Sequence, residues 1–212
     1  MDTSPRKYNK SEPQGERARN LLAQHGMMRI RELEAEGIAA TTVARLLSEG
    51  TVTRLSRGLY QLVDADIGAN HDLAEAAKRV PKGVVCLTSA VAFHELTDQM
   101  PRKVWMAIGH KDWTPADHGP RLRVVRMSDG LLRSDVETHM IENVGVPMFT
   151  IPRTLVDCFR HRKSVGINVA IEALRETLRQ RKTTPAIIAE CARKRGAWSV
   201  MAPYLETLTL DG

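Results

Sequence analysis

Apolar residues recur at helical spacing in three successive segments between residues 15 and 50. Each segment has apolar side chains three or four positions apart, which places them on one face of a helix. A glycine follows each segment, at Gly26, Gly37 and Gly50, where a helix commonly ends. The pattern predicts three short helices that share an apolar side. Their apolar positions are Ala18, Leu21 and Leu22, then Ile30 and Leu33, then Val43, Leu46 and Leu47.

The next stretch, GTVTRLSRGLYQL over residues 50–62, predicts two short strands around a Ser-Arg-Gly turn. Val52 and Leu55 lie three positions apart, so burying both requires a bulge or a strong twist. Three helices followed by a hairpin are the element order of a winged helix-turn-helix. In that module the third helix enters the major groove of DNA, and the hairpin forms the wing.

With Val43 and Leu47 directed inward, the outward positions of the third helix are Thr41, Arg45 and Ser48, with Ala40 and Ala44 beside them. An arginine here is suited to a bidentate contact with guanine, and arginines on the wing are suited to the phosphate backbone or the minor groove. The alternative is that these arginines are only solvated. The candidate DNA-binding residues are Ala40, Thr41, Arg45, Ser48, Arg54 and Arg57.

Residues 64–72 are acidic and contain Gly and Asn, which indicates a linker. Strands are then predicted at VVCLTS, KVWMAIG, RLRVVRM and ENVGVPMFTI, and helices at LAEAAKRVP, LTSAVAFHEL, RTLVDCFRHR, GINVAIEALRETLRQ and TTPAIIAECARKRG. Thr88 or Ser89 is the expected N-cap of the second of these helices. The predicted fold class is α+β. We expect a disordered tail at 1–13, a winged helix-turn-helix at 14–66, and a mixed α/β domain with helices at its end at 67–212.

The charge of the 212-residue chain is +6 at neutral pH, which is compatible with a polyanionic partner. The surplus is uneven: eleven basic and six acidic residues lie in 151–212, against ten and nine in 1–66. The basic residues of the last third suggest a second surface that contacts nucleic acid. The alternative is a set of solvated helix faces, partly neutralised by Glu172 and Glu176. The residues of this possible surface are Arg160, Arg162, Lys163, Arg175, Arg179 and Lys182.

Neither a catalytic nor a metal-binding signature is recognisable in the sequence. Its three cysteines are far apart, and its histidines do not fall at metal-ligand spacings with them. His94 and Asp157 are the best single polar candidates, and structural roles suit both. We therefore expect a protein that is not an enzyme and has no cofactor. Without a hydrophobic leader or a long apolar run, we also expect it to be cytoplasmic.

Four fragments in a fixed order carry a family resemblance that runs from about Gly15 to Leu210. They are EGTVTRLSRGLYQL, LTSAVAFHELTDQMPRKVWMAI, IPRTLVDCFRHRKSVGINVAIEALRETL and VMAPYLE. Together they resemble the AbiEi antitoxins of type IV toxin-antitoxin systems. The resemblance implies an N-terminal winged helix-turn-helix that represses the protein's own operon, and a C-terminal domain with antitoxin activity.

The resemblance also implies a nucleotidyltransferase-like toxin, opposed without a stable complex between the two proteins. It places DNA reading at Ala40, Thr41, Arg45, Arg54 and Arg57. The partner is then double-stranded operator DNA, on which two or more copies assemble. Two alternatives remain open at this stage, namely an antitoxin that neutralises its toxin by direct binding and a stand-alone transcriptional regulator.

Overall fold

A computed structural model of the chain describes residues 12–114 and 119–210. Most of the predicted tail, residues 1–11, lies outside the described residues, as does His118. The N-terminal elements are α1 (Gln14–His25), β1 (Met27–Arg29), α2 (Ile30–Ala35), α3 (Ala40–Ser48), β2 (Val52–Ser56) and β3 (Leu59–Leu62). The three helices and the hairpin occur in the predicted order.

The three N-terminal strands form an antiparallel sheet in the order β1-β3-β2. Strand β1 was not predicted, because three residues between two helices are too short to show a period. The ladder between β2 and β3 shifts register between Arg54 and Ser56, which leaves Leu55 in a bulge. A bulge is thus present, but Val52 and Leu55 still lie on opposite faces of the sheet, because Val52 is buried in the three-helix core and Leu55 is partly buried against the other core.

The remaining elements form a larger mixed α/β unit, which confirms the predicted mixture of helices and sheet. They are α4 (His71–Arg79), β4 (Val84–Val85), α5 (Leu87–Phe93), β5 (Val104–Gly109), β6 (Leu122–Met127), α6 (Asp129–Leu132), β7 (Val136–Ile141), β8 (Val144–Phe149), α7 (Ile151–Arg160), α8 (Arg162–Val165), α9 (Ile167–Arg179), α10 (Pro185–Lys194) and α11 (Trp198–Leu210). Within the two described ranges, each helix is too short or too polar to cross a membrane.

The five-stranded sheet has the order β6-β5-β4-β8-β7, with parallel β5–β6 and β4–β8 pairs and antiparallel β4–β5 and β7–β8 pairs. Both of its faces are covered. Helices α5, α7, α9, α10 and α11 pack on one face, and α4 together with the small N-terminal sheet packs on the other. All six residues of β5 are consequently buried. Along β5, Met106 and Trp105 point to opposite faces, and this alternation separates two apolar cores and not core from solvent.

Three local predictions were wrong. The N-cap of helix α5 is Cys86, two residues before Thr88 and three before Ser89, and Ser89 instead bonds to β5 by accepting from Trp105 N at 2.9 Å. Strand β7 was missed because, as an edge strand, it mixes polar and apolar residues on both faces. The apolar neighbours of the three cysteines in the sequence predict buried thiols. Cys86 and Cys158 are fully buried, and burial raises the pKa of both, but Cys191 is only half-buried.

The small sheet is packed on both sides, and this packing joins the two parts of the chain. Met28 and Tyr60 contact the three-helix core, whereas Met27 and Leu59 belong to the apolar core of α4 and the large sheet. Polar contacts lie around this junction. Glu32 pairs with Lys78 at 3.1 Å, Arg29 Nε donates to Lys78 O at 2.9 Å, and Glu142 accepts from Gly68 N and contacts His71 at 2.7 Å.

Gly26 fits a tight approach between α1 and the turn that joins β7 to β8. Its φ of +69° and ψ of −71° suit only glycine, and a Cβ there would collide with the Glu142 carbonyl oxygen. Gly50 has the same φ of +69°, but a Cβ added there meets nothing within 4 Å.

We expect Gly50→Ala to lower the free energy of unfolding by about 1 kcal/mol, from backbone strain alone. Gly26→Ala adds a steric clash to the same strain, and should cost at least about 2–3 kcal/mol. Urea unfolding of both variants measures the difference. Equal losses would show that the Gly26–Glu142 approach relaxes without cost.

Candidate nucleic-acid interface

The outer face of α3 carries most of the candidate DNA-reading residues. Thr41, Ala44, Arg45 and Ser48 are exposed, as expected, and Ala40 is exposed at the first turn. The inward residues are Val43 and Leu46. Leu47 is 37% exposed and does not face inward, which corrects the sequence-based orientation. At about 100° per residue, a core centred between Val43 and Leu46 leaves Leu47 at the edge of the buried stripe.

The N-terminus of α3 is capped by a residue from α1. Ala39 stands at the N-cap position and has no side-chain acceptor. The Gln14 Oε1 atom accepts hydrogen bonds from Ala39 N and from Thr42 Oγ1, each at 3.0 Å. This contact satisfies an otherwise free amide and fixes α3 against α1. A cap supplied 25 positions earlier in the sequence leaves no local signal.

Arg45 is held across the exposed face of α3. Its guanidinium is 2.6 Å from the Glu49 carboxylate, and its side chain is 56% exposed. A Cβ at Gly15 would lie 2.8 Å from the Arg45 Nη2 atom, so the arginine passes closely over the start of α1. An exposed i,i+4 pair contributes only about 0.3–0.5 kcal/mol, so Arg45 can exchange Glu49 for a nucleic-acid acceptor at little cost.

The two hairpin arginines have different surroundings. Arg54 lies opposite Tyr60 in the ladder and two residues from Val52, so it occupies the sheet face that contacts the three helices. Arg57 lies in the turn between β2 and β3. Both side chains are exposed. Arg54 therefore lies on the same side of the sheet as α3, and Arg57 lies at the hairpin tip.

A cleft of about 660 Å³ begins beside Arg57 and runs along the junction with the large unit. Its polar lining is mainly basic, and Trp113, 73% exposed, lies at its edge. One acid, Asp112, lies 3.9 Å from Lys82. Because four separate segments form it, this basic cleft was not visible in the sequence. Its basic residues are Arg29, Arg31, Arg57, Arg79 and Lys82.

Four of the six residues of the possible second basic surface make internal contacts. Arg160 donates to Arg195 O at 2.7 Å, and Arg162 donates to Phe159 O at 3.1 Å. Arg179 forms a bidentate pair with Glu176, and Lys182 donates to His94 O. The expected neutralisation by Glu176 is thus present.

Glu172, by contrast, accepts from Thr97 and Gln99. Lys163 and Arg175 are the exposed remainder of this group. A second nucleic-acid surface stays a prediction, and these two residues are its best test.

His94 and Asp157 lie in separate buried sites. Asp157 accepts from Arg153 Nε at 2.5 Å, and Arg153 also stacks over the Phe149 ring. Burial raises the pKa of Asp157, and the Arg153 charge acts in the opposite direction. His94 is buried beside Glu137 and His139, and its burial lowers the pKa of the imidazole. Asp157 therefore has a structural partner, and His94 belongs to a polar cluster.

The comparisons with known proteins agree with a regulatory N-terminal segment. Residues 16–63 match the family of transcriptional regulators described as AbiEi antitoxin, which confirms the resemblance for this segment. The fold is similar to the crystal structure of the RV2827C protein from Mycobacterium tuberculosis, with a TM-score of 0.62 and 13% identity. The match covers 92% of this chain and 77% of that one, and at this identity it concerns the fold alone. No curated protein matches the chain.

The Gln14 cap provides a stability test of the α1–α3 contact. We expect Gln14→Ala to lower the free energy of unfolding by about 1 kcal/mol, because the N-terminus of α3 loses its acceptor. Gln14→Glu keeps an oxygen in place and adds a charge that the helix N-terminus favours, so it should be neutral or stabilising. Thermal unfolding of the pair measures the effect. No loss in Gln14→Ala would mean that the cap contributes nothing, and equal losses in both variants would mean that the acceptor oxygen is not the source of the stability.

Proposed function

We propose that the chain is a DNA-binding autorepressor and antitoxin of a type IV toxin-antitoxin system, in which residues 14–66 act as a winged helix-turn-helix. The observation that carries the proposal is the exposed face of α3, which lies on the same side of the small sheet as Arg54. A helix with a small, polar outer surface next to a basic hairpin is the arrangement that this module uses on DNA. The family match over 16–63 supports the same reading.

The chemistry of α3 favours close contact with bases. Thr41, Ala40 and Ala44 offer short side chains and methyl groups that can approach thymine methyls. Ser48 donates its hydroxyl proton to Arg45 O at 2.7 Å, so its oxygen remains for accepting. Arg45 is the one long donor on this face, and a bidentate contact to guanine is its expected role.

Phosphate contacts come from the hairpin and the cleft next to it. Arg54 and Arg57 fix the hairpin on the backbone or in the minor groove, and they orient the module without reading sequence. Arg31 and Lys82 are exposed in the cleft beyond Arg57. They extend the same positive surface toward the large unit. The backbone path is therefore longer than the hairpin alone would provide.

Residues 67–212 form the antitoxin domain in this proposal. The target DNA is the protein's own operator, bound by two or more copies in the cytoplasm. The toxin is a nucleotidyltransferase-like protein, opposed without a stable complex, and no catalytic step is assigned to this chain. Antitoxin and regulator are also the roles named in the description of the family that residues 16–63 match.

Gel-shift titration on the protein's own upstream DNA tests the DNA contacts. We expect Arg45→Ala to weaken operator binding by about 1–3 kcal/mol, with the loss concentrated at one base pair. Arg57→Ala should weaken operator and unrelated DNA alike, and reduce the slope of log K against log salt by about one.

Arg102→Ala is the matched control, since it removes an exposed arginine from the loop before β5. Lys163→Ala and Arg175→Ala report on the second basic surface. The DNA-reading assignment is wrong if Arg45→Ala and Arg57→Ala bind every DNA as tightly as the control does.

Co-expression with the protein encoded by the adjacent gene tests the antitoxin role. We expect rescue from a nucleotidyltransferase-like toxin without co-purification at moderate salt, because type IV action needs no stable complex. A complex that survives purification would favour direct neutralisation. Operator binding without any rescue would favour a stand-alone regulator.

A further inference from the structure

A cluster of three metal-ligating side chains lies at the edge of the large sheet, outside the surfaces considered for DNA. His94 stands at the C-terminal end of α5, and Glu137 and His139 alternate on β7, so both point to the same face of that edge strand. One ligand atom from each of the three lies within 4.8 Å of the others. Among the residues that the structure describes, this is the one group of three or more His, Cys, Asp or Glu side chains with ligand atoms this close together.

We propose that His94, Glu137 and His139 bind one divalent cation of the zinc class. Two imidazoles and one carboxylate are a donor set that Zn²⁺ accepts readily, with a water molecule completing four ligands. Harder cations such as Mg²⁺ prefer oxygen ligands and do not suit two histidines.

The distances are close to those of a tetrahedral ion. Zinc with bonds of about 2.0–2.1 Å holds neighbouring donor atoms about 3.3 Å apart. His139 Nε2 lies 3.0 Å from Glu137 Oε1, and His94 Nε2 lies 3.8 Å from the same oxygen. These two values bracket the required spacing, and the imidazole nitrogens of His94 and His139 lie within 4.8 Å of each other, so they must move closer to hold one ion.

The surroundings permit the exchange of the present hydrogen bonds for an ion. His94 Nε2 lies 3.1 Å from Phe149 O, and that carbonyl also accepts from Thr154 Oγ1 at 3.1 Å. Phe149 O therefore keeps a partner when His94 turns to a cation. The Phe93 ring packs against His139 with ring centroids 4.7 Å apart, which restricts the orientation of that imidazole.

Access and charge also fit a cation. The side chains of Glu137 and His139 are 41% and 30% exposed, so an ion reaches the cluster from the open side of β7. Lys182 is the nearby charge that opposes binding, because its ammonium group donates to His94 O. That group is also 3.7 Å from Glu95, which offsets part of its charge.

Isothermal titration of the full-length, tag-free chain with Zn²⁺, after treatment with a chelator, tests the proposal. We expect one equivalent to bind to the wild-type chain and Mg²⁺ to give no signal. His139→Gln and Glu137→Gln should each lower the Zn²⁺ affinity about tenfold or more. Thr138→Ala, which changes the opposite face of the same strand, is the matched control and should bind as the wild-type chain does.

Thermal unfolding supplies a second measurement that does not depend on calorimetric heats. Zn²⁺ at a hundredfold excess over the wild-type dissociation constant should raise the Tm of the wild-type chain, and at the same Zn²⁺ concentration the rise in His139→Gln should be about half as large or smaller. The proposal is overturned if the wild-type chain takes up no stoichiometric Zn²⁺. It is equally overturned if both ligand variants bind Zn²⁺ as tightly as Thr138→Ala does.

Discussion

The two-sided burial of the small N-terminal sheet is the constraint on which the arrangement of the molecule depends. One face of this sheet closes the three-helix core, and the other face places Met27 and Leu59 in the core of the large unit. The hairpin and α3 are consequently fixed relative to α4 and the large sheet. An N-terminal module joined only by its linker would lack this restriction.

The same junction contains an unfavourable feature. Gln61 is 1% exposed on the sheet face toward the large unit, and both polar atoms of its amide lack a hydrogen-bond partner among the described residues. Such a group costs about 1–3 kcal/mol when no water reaches it. The apolar contacts of Met27 and Leu59 and the ion pair of Glu32 with Lys78 offset this cost. The junction is thus held by several contacts of modest individual strength.

The sequence predicted what local periodicity can encode. The three N-terminal helices, the hairpin with its bulge, and most of the later helices follow from apolar spacing and glycine positions. Contacts between distant segments were not predictable in this way. The Gln14 cap on α3, strand β1 and the basic cleft each require residues that the fold alone brings together. Leu47 was misplaced because Leu46 and Leu47 are equally apolar, and packing decides which one is buried.

Charge is another property that the sequence describes only in bulk. The basic surplus lies in residues 151–212, yet Arg160, Arg162, Arg179 and Lys182 make contacts within the protein. The N-terminal segment has almost no net charge, and one of its arginines, Arg45, is paired with Glu49, but not every acid lies beside the hairpin arginines. Glu32 faces the junction, whereas Arg54 and Arg57 are exposed on the hairpin. A positive surface therefore depends on placement more than on net charge.

Strand β7 connects the proposed cation site with the junction. Glu137 and His139 lie in this strand, and Glu142 in the turn after it contacts His71 and Gly68 and lies against Gly26. A cation bound to Glu137 and His139 would also restrict the turn between β7 and β8, which lies against Gly26 at the end of α1. Any effect of the cation on DNA binding would have to be matched by an equal effect of DNA on cation affinity, because coupling between two sites is reciprocal. Such coupling requires a junction with two alternative packings that both sites bias, since closeness along β7 alone does not transmit a binding free energy.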